Sequence, residues 1–321
     1  MIMAATVQEL IEYSLVNSAH INEAKARIIA SRFDSIKTFL RAPSSTYKNL
    51  TYVGGKKVGL TDKNLEQIRT LQKSNMLNPK LTAQQNFIKI LSVEFLNKQI
   101  GMIKGVKLKT LNANPILISS LKLNTPRSIV KFYVYQTISR SMVTSMGYLV
   151  QDLLLHSGPG VYDAKGMASD GGTKWDFVKK GLKKTVAWVE VKSGPNDMDK
   201  AQILYYKKMI EAVEKKKERG YIGETYGKRN DYTVTHGLYK TYLEDWSNRT
   251  LIGRELWEFV SNDKDYPVKL LELLKSSAEK VLLTKTILEE IDMCVSRVEK
   301  EFYTTYGKNK DSVSRYLDGL W

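Results

Sequence analysis

Apolar residues recur at helical intervals through the early part of the chain. In QELIEYSLVNSAHINEAKARIIASRFDSIKTFL the repeat is broken by the polar NSAH, which predicts two helices. A loop with Gly54, Gly55 and Gly59 follows, and then a helix capped at Thr61 or Asp62. Between Asn78 and Pro115 the pattern predicts a further helix and then a loop or short strand. TPRSIVKFYVYQTISRSMVTSMGYLVQDLLLHSGPG is mainly apolar and reads as one or two core helices, with small Thr144, Ser145 and Gly147 allowing close packing.

Beyond residue 160 the period shortens. TKWDFVKK and TVAWVEVKS alternate as strands joined tightly around Gly181, GYIGETYGK reads as a strand or strand pair, and YTVTHGLYKTYL as another. Between them AQILYYKKMIEAVEKKKER is helical, with Ile203, Tyr206, Ile210 and Val213 on one face and a cap formed by Asp199 with Gln202. The chain then returns to helices through GRELWEFV, the long stretch from Pro267, and SVSRYLDGLW. This order predicts an α/β fold with a central mixed sheet flanked by helices, and helical regions at both ends. The expected division is 1–115 mainly helical, 116–260 the sheet-bearing core, and 261–321 helical and packed on that core.

Composition narrows the class. The 321 residues are 42% hydrophobic and 26% charged, as in globular proteins, but 50 Lys plus Arg against 34 Asp plus Glu leave a net charge of +16. Such a surplus favours a polyanionic partner, nucleic acid before an anionic membrane. Cys294 is the single cysteine, which excludes an internal disulfide, and its apolar helical context reads as core. His20, His156 and His236 are scattered without a zinc-site spacing, and GGKKVG lacks the phosphate-loop pattern. No apolar run approaches the roughly 18 residues of a spanning helix. The start, MIMAATVQELIEYS, lacks a basic stretch before an apolar one, so an intracellular setting without membrane attachment is expected.

Within TVAWVEVKS, Glu190 and Lys192 point to one face of the strand while Val189 and Val191 point to the other. The shared face is either solvent, with the pair a salt bridge at a sheet edge, or a site. Asp176 can meet Glu190 across a hairpin. Two carboxylates and the Val191 carbonyl are hard oxygen ligands suited to Mg²⁺, and Lys192 beside them could orient a water or stabilise charge on a phosphate. The surroundings favour a site. From 200 to 229 there are nine Lys or Arg against four Glu, as expected where a duplex lies across a metal centre.

Asp176 followed by Glu190-Val191-Lys192 resembles the PD-(D/E)xK nuclease pattern, and VEVKSGPNDMDKAQ is similar to type II restriction endonucleases. EVKSGPN and GRELWEFV resemble, more narrowly, enzymes that cut GGNCC-like interrupted palindromes. The resemblance covers 145–260, and Trp175 stands where the pattern has proline. Asp163 and Asp170 lie in the same approach segment, but WDFV is strand-like and SDGG a turn, which favours Asp176. The resemblance implies a restriction-endonuclease-like core, Asp176, Glu190 and Lys192 as catalytic residues, and Mg²⁺ held by Asp176, Glu190 and the Val191 carbonyl. Asp152, on the helix before the sheet, is a further acidic candidate. It also implies hydrolysis of double-stranded DNA at a short palindrome, 5′-phosphate ends, a homodimer, and a cytoplasmic setting in a prokaryotic cell. Residues 1–115 would serve dimerisation or recognition. Candidate DNA contacts are Lys179, Lys180, Lys183, Lys184, Asn196, Lys200, Lys207 and Lys208. The alternatives are a noncatalytic DNA-binding protein and an RNA-processing or repair nuclease.

Overall fold

A computed structural model describes residues 6–74, 76–164, 167, 175–181 and 185–321. Contacts gather the chain into two compact units, Met1–Leu91 with Val150–Leu274, and Ser92–Leu149 with Lys275–Trp321. Each is assembled from two stretches of chain, whereas the segments 1–115, 116–260 and 261–321 are consecutive and follow the change of periodicity.

The first unit begins with α1 (Val7–Asn17), α2 (Glu23–Ala30), α3 (Ile36–Arg41), α4 (Ser45–Lys48) and α5 (Asp62–Lys73), and takes in the start of α6 (Ala83–Gly105). Leu10, Ile11, Leu15, Ile29, Phe39, Ile68 and Phe87 form its helical core. Three helices occupy the stretch expected to hold two, because Ser35 caps a new one by accepting from the Thr38 amide. Thr61 caps α5, as expected.

Next come α7 (Pro115–Ser120) and α8 (Pro126–Leu155), a single helix, and then the sheet. Its strands are β1 (Val161–Asp163), β2 (Phe177–Lys180), β3 (Val186–Lys192), β4 (Arg219–Glu224) and β5 (Thr250–Ile252), in spatial order β1-β2-β3-β4-β5. The β1–β2 and β2–β3 pairs are antiparallel, while β3–β4 and β4–β5 are parallel. This is the expected mixed sheet with β3 at its centre.

The crossover from β3 to β4 is α9 (Lys200–Glu214), capped reciprocally by Asp199 and Gln202. It lays Ile203, Tyr206, Ile210 and Val213 against Trp188 and Ile222, on the Glu190 face of the sheet. After β4 come α10 (Val234–Tyr242) and α11 (Trp246–Arg249), and after β5 comes α12 (Arg254–Ser261). Leu256 of α12 packs beside Val189 over Gly223, on the opposite face.

One element departs from expectation. YTVTHGLYKTYL forms α10 rather than a strand: Thr233 accepts from the His236 amide at 3.1 Å, and Thr235 and Tyr239, one turn apart, are both buried. The last parallel strand is instead TLI, too short for alternation to reveal.

The second unit contains parts of α6 and α8, all of α7, and the later helices α13 (Tyr266–Val281, shared with the first unit), α14 (Ile287–Tyr306) and α15 (Ser312–Asp318). Ile129, Tyr133, Val134, Ile138, Val295, Val298 and Phe302 form its core, with Cys294 buried among them. Among the described residues no helix is long and apolar enough to cross a membrane.

Candidate functional site

The β2–β3 register pairs Phe177 with Val189, and the Asp176 amide donates to the Val189 carbonyl at 3.0 Å. Continuing that register sets Asp176 opposite Glu190. Beyond this point β2 has no residue to face Val191, whose amide points to the same edge. The Asp176 side chain takes the missing place: its Oδ2 accepts from the Val191 amide at 2.7 Å, and its Oδ1 accepts from Gln151 Nε2 of α8 at 2.7 Å.

Glu190 and Lys192 share the α9 face, and Lys192 Nζ donates to Glu190 Oε1 at 2.7 Å. Their side chains are only 8% and 16% exposed, and β3 is the middle strand of five. A solvent-facing salt bridge at a sheet edge is therefore excluded. The Lys192 ammonium lies 5.5 Å from the Tyr206 ring centre, and the Tyr206 hydroxyl hydrogen-bonds Glu190.

The electrostatics follow from crowding two carboxyl groups into a partly dry corner. Burial first, and then the Glu190 charge, push Asp176 up to about 7, against the pull of the Val191 amide and the Lys192 ammonium. Burial and then Glu190 likewise raise Tyr206 well above the ordinary tyrosine range. With all three groups ionised, one ammonium faces two carboxylates, and a cation is the natural remedy. The donor set is hard oxygen, so the residues fit Mg²⁺ better than a soft metal. Among the described residues no group of three or more His, Cys, Asp and Glu gathers as a metal cluster. The set is two carboxylates with a backbone carbonyl.

The other candidates fall into distinct places. Asp152 is exposed on α8, and its neighbour Gln151 is the α8 side chain that reaches Asp176. Asp163 is exposed at the end of β1, paired with Phe177, and Asp170 lies outside the described residues. Lys179 is buried, not available to a phosphate: its ammonium donates to the carbonyls of Phe259 and Val260 and to Asn262 Oδ1, closing the end of α12. The sequence shows its charge but not the helix end that consumes it. Lys180 is exposed, with its ammonium 5.4 Å from the Tyr162 ring centre. Asn196, Lys200 and Lys208 are exposed and Lys207 partly so, with Lys200 4.7 Å from the Tyr242 ring centre. Lys183 and Lys184 lie outside the described residues.

Nothing in the sequence singles out Gln151, and Tyr206 reads there as helix packing in preference to a stacking platform for bases. A family model for the type II restriction endonuclease EcoO109I matches residues 82–281, well over half the chain and all five strands. The chain belongs to this family. It is a type II restriction endonuclease, a site-specific deoxyribonuclease acting on double-stranded DNA. That assignment sets aside the noncatalytic DNA-binding protein and the RNA-processing or repair nuclease. Among curated proteins, none matches the chain.

Proposed function

We propose that this restriction endonuclease hydrolyses phosphodiester bonds with Asp176, Glu190 and Lys192 as its catalytic residues and Mg²⁺ as its cofactor. The observation that carries the reading is the meeting of Asp176, Glu190 and Lys192 at the end of the central strand, largely buried, where charge is costly without a purpose. Asp176, Glu190 and the Val191 carbonyl would hold the cation. Bound Mg²⁺ supplies charge neutralisation at the phosphate and a more acidic water. Lys192, one of whose donors is taken by Glu190, has donors left to orient a water or meet a phosphate oxygen. Gln151 and the Val191 amide fix the Asp176 carboxylate, and Tyr206 steadies Glu190.

The finer reading is cleavage at a short palindrome of the GGNCC-like interrupted kind, leaving 5′-phosphate ends. A homodimer suits it, since each of two centres can then address one strand. Exposed Val143, Met146 and Tyr148 on α8 and Leu288 and Met293 on α14 support a second copy as the occupant of those helix faces. Asn196, Lys180, Lys200, Lys207 and Lys208 are proposed phosphate contacts, consistent with the basic balance of the chain. The setting is the cytoplasm of a prokaryotic cell, where foreign DNA enters.

The test is digestion of unmethylated duplex DNA by the full chain with Mg²⁺ or EDTA, followed by end mapping. Discrete fragments with 5′-phosphates, formed only with Mg²⁺, are expected. Random nicking, or inactivity over a broad panel of duplexes, overturns the reading.

A further inference from the structure

The segment between β4 and α10 carries side chains that the proposed chemistry does not use. Its exposure alternates: Tyr226, Lys228, Asn230, Tyr232 and Val234 are exposed, while Thr225, Gly227, Arg229, Asp231, Thr233 and Thr235 are buried or half-buried. The inward positions are fastened one after another. Thr225 donates its amide to the Lys192 carbonyl at 3.1 Å and its hydroxyl to the Ser193 carbonyl at 2.6 Å. Arg229 pairs with Glu255, donates to Thr250 Oγ1 at 3.0 Å, and stacks 5.2 Å from the Trp246 ring centre. The Asp231 carboxylate accepts from the Lys228 amide at 2.7 Å.

His236 closes the segment from below. Its Nδ1 lies 3.1 Å from the Asp231 carbonyl and its Nε2 lies 2.8 Å from Glu224 Oε2, the ring and the carboxylate both being almost wholly buried. The last residue of β4 is thus clamped to the first turn of α10, and the chain between them is held without regular secondary structure.

The outward positions are the converse. Among the described residues, no hydrogen bond, ion pair or ring contact engages the side chains of Tyr226, Lys228, Asn230 or Tyr232, and Tyr232 is as exposed as an isolated residue at 104%. Two tyrosines, an amine and an amide presented from a fixed irregular segment match a nucleic-acid surface better than solvent alone. The location agrees. Glu224 pairs with Lys192 across the parallel ladder, so the segment starts at the strand end that holds the proposed catalytic groups. The Tyr226 ring lies directly over Gly194, two residues past Lys192, where a Cβ would meet its hydroxyl at 2.3 Å. Gly227, at φ +106°, turns the chain against Pro195. The turn bearing Asn196 and this segment therefore form one surface beside the site.

We propose that residues 226–232 are a DNA-reading loop, in which Lys228 and Asn230 address base edges in the major groove while Tyr226 and Tyr232 lie along the sugar–phosphate backbone. Lys228 offers donors to acceptor-rich guanine edges, and Asn230 offers a donor and an acceptor together, the combination that distinguishes one base pair from another. The assignment rests on the nuclease reading, and it names residues that determine specificity.

The experiment first maps the wild-type cleavage site, then measures kcat/KM on that duplex and on every single base-pair substitution of it. Asn230→Ala and Lys228→Ala are each expected to lower discrimination about tenfold or more at one base-pair position and its symmetry mate, leaving the other positions as strict as before. Tyr232→Ala is expected to weaken binding evenly across the panel. Because all of these side chains are exposed, circular dichroism and melting of the variants should match the wild type. Wild-type discrimination at every position in both Asn230→Ala and Lys228→Ala overturns the loop assignment and leaves the nuclease reading standing. A wild-type chain that cuts no duplex at discrete sites overturns both.

Discussion

Lys179 and Lys192 stand on neighbouring strands but on opposite faces of the sheet, and they show how differently one side chain is used. On the α12 face, burial lowers the Lys179 amine to about 8, while three neutral oxygens receive its donors. Nothing is left to offer a ligand. On the α9 face, Lys192 is met by one carboxylate oxygen and an aromatic ring, with donors in reserve. Both are lysines in strands beside apolar neighbours. The count of satisfied donors separates a structural cation from one available for chemistry, and sequence alone does not carry that count.

The largest effect is expected at Lys192. Lys192→Ala is expected to lower single-turnover cleavage at saturating duplex by about 100-fold or more while specific binding stays nearly intact. Weakened binding with a normal cleavage rate would make it one more phosphate contact. The next effect is on the metal requirement. In the proposed site Asp176, held up to about 7 by burial and Glu190, would have to give up its proton to ligate Mg²⁺, so the half-saturating Mg²⁺ concentration should rise about tenfold for each pH unit below 7 and level off above it. The same raised value has the opposite sign for folding without metal. The folded state holds a proton the unfolded chain releases above about 4, so this contribution to stability falls as pH rises from there through 7. A Mg²⁺ titration of cleavage at pH 6, 7 and 8 checks the first statement, and chemical denaturation in EDTA checks the second.

Gln151→Ala removes a partner of the Asp176 carboxylate and should raise the Mg²⁺ requirement about tenfold, as loss of an outer partner does elsewhere. An unchanged requirement would reduce that hydrogen bond to packing. The smallest effect on the chemistry belongs to the other lysine. Lys179→Met should cost about 2 kcal/mol of stability by stranding buried acceptors at the end of α12, with little change in cleavage by the folded protein. A large loss of DNA affinity at full stability would return Lys179 to the DNA surface.

The parts of this architecture that were legible in the sequence are those carried by local periodicity. Strand alternation put Glu190 and Lys192 on one face, Asp199 with Gln202 marked the start of α9, and the hairpin brought Asp176 opposite Glu190. What escaped depends on contacts between distant stretches. Gln151 reaches the site from a helix before the sheet, and its neighbour Asp152, chemically the more suggestive, faces outward. In α10, β-branched residues imitate a strand, and the N-cap at Thr233 decides otherwise. Lys179 could not be told from its exposed neighbour Lys180 without the end of α12 in place.

The bond from the Val191 amide to Asp176 makes a side chain stand in for backbone. One consequence concerns how far position 176 can drift over evolutionary time. A side chain there must place an acceptor at the reach of a single methylene, or the rung opens. Asparagine can keep the rung and lose the charge; glutamate keeps the charge but overshoots the rung. If Asp176 serves as proposed, inactive descendants of this enzyme are expected to pass through asparagine at 176 more readily than through any hydrophobic residue, because that step would remove the charge while sparing the sheet.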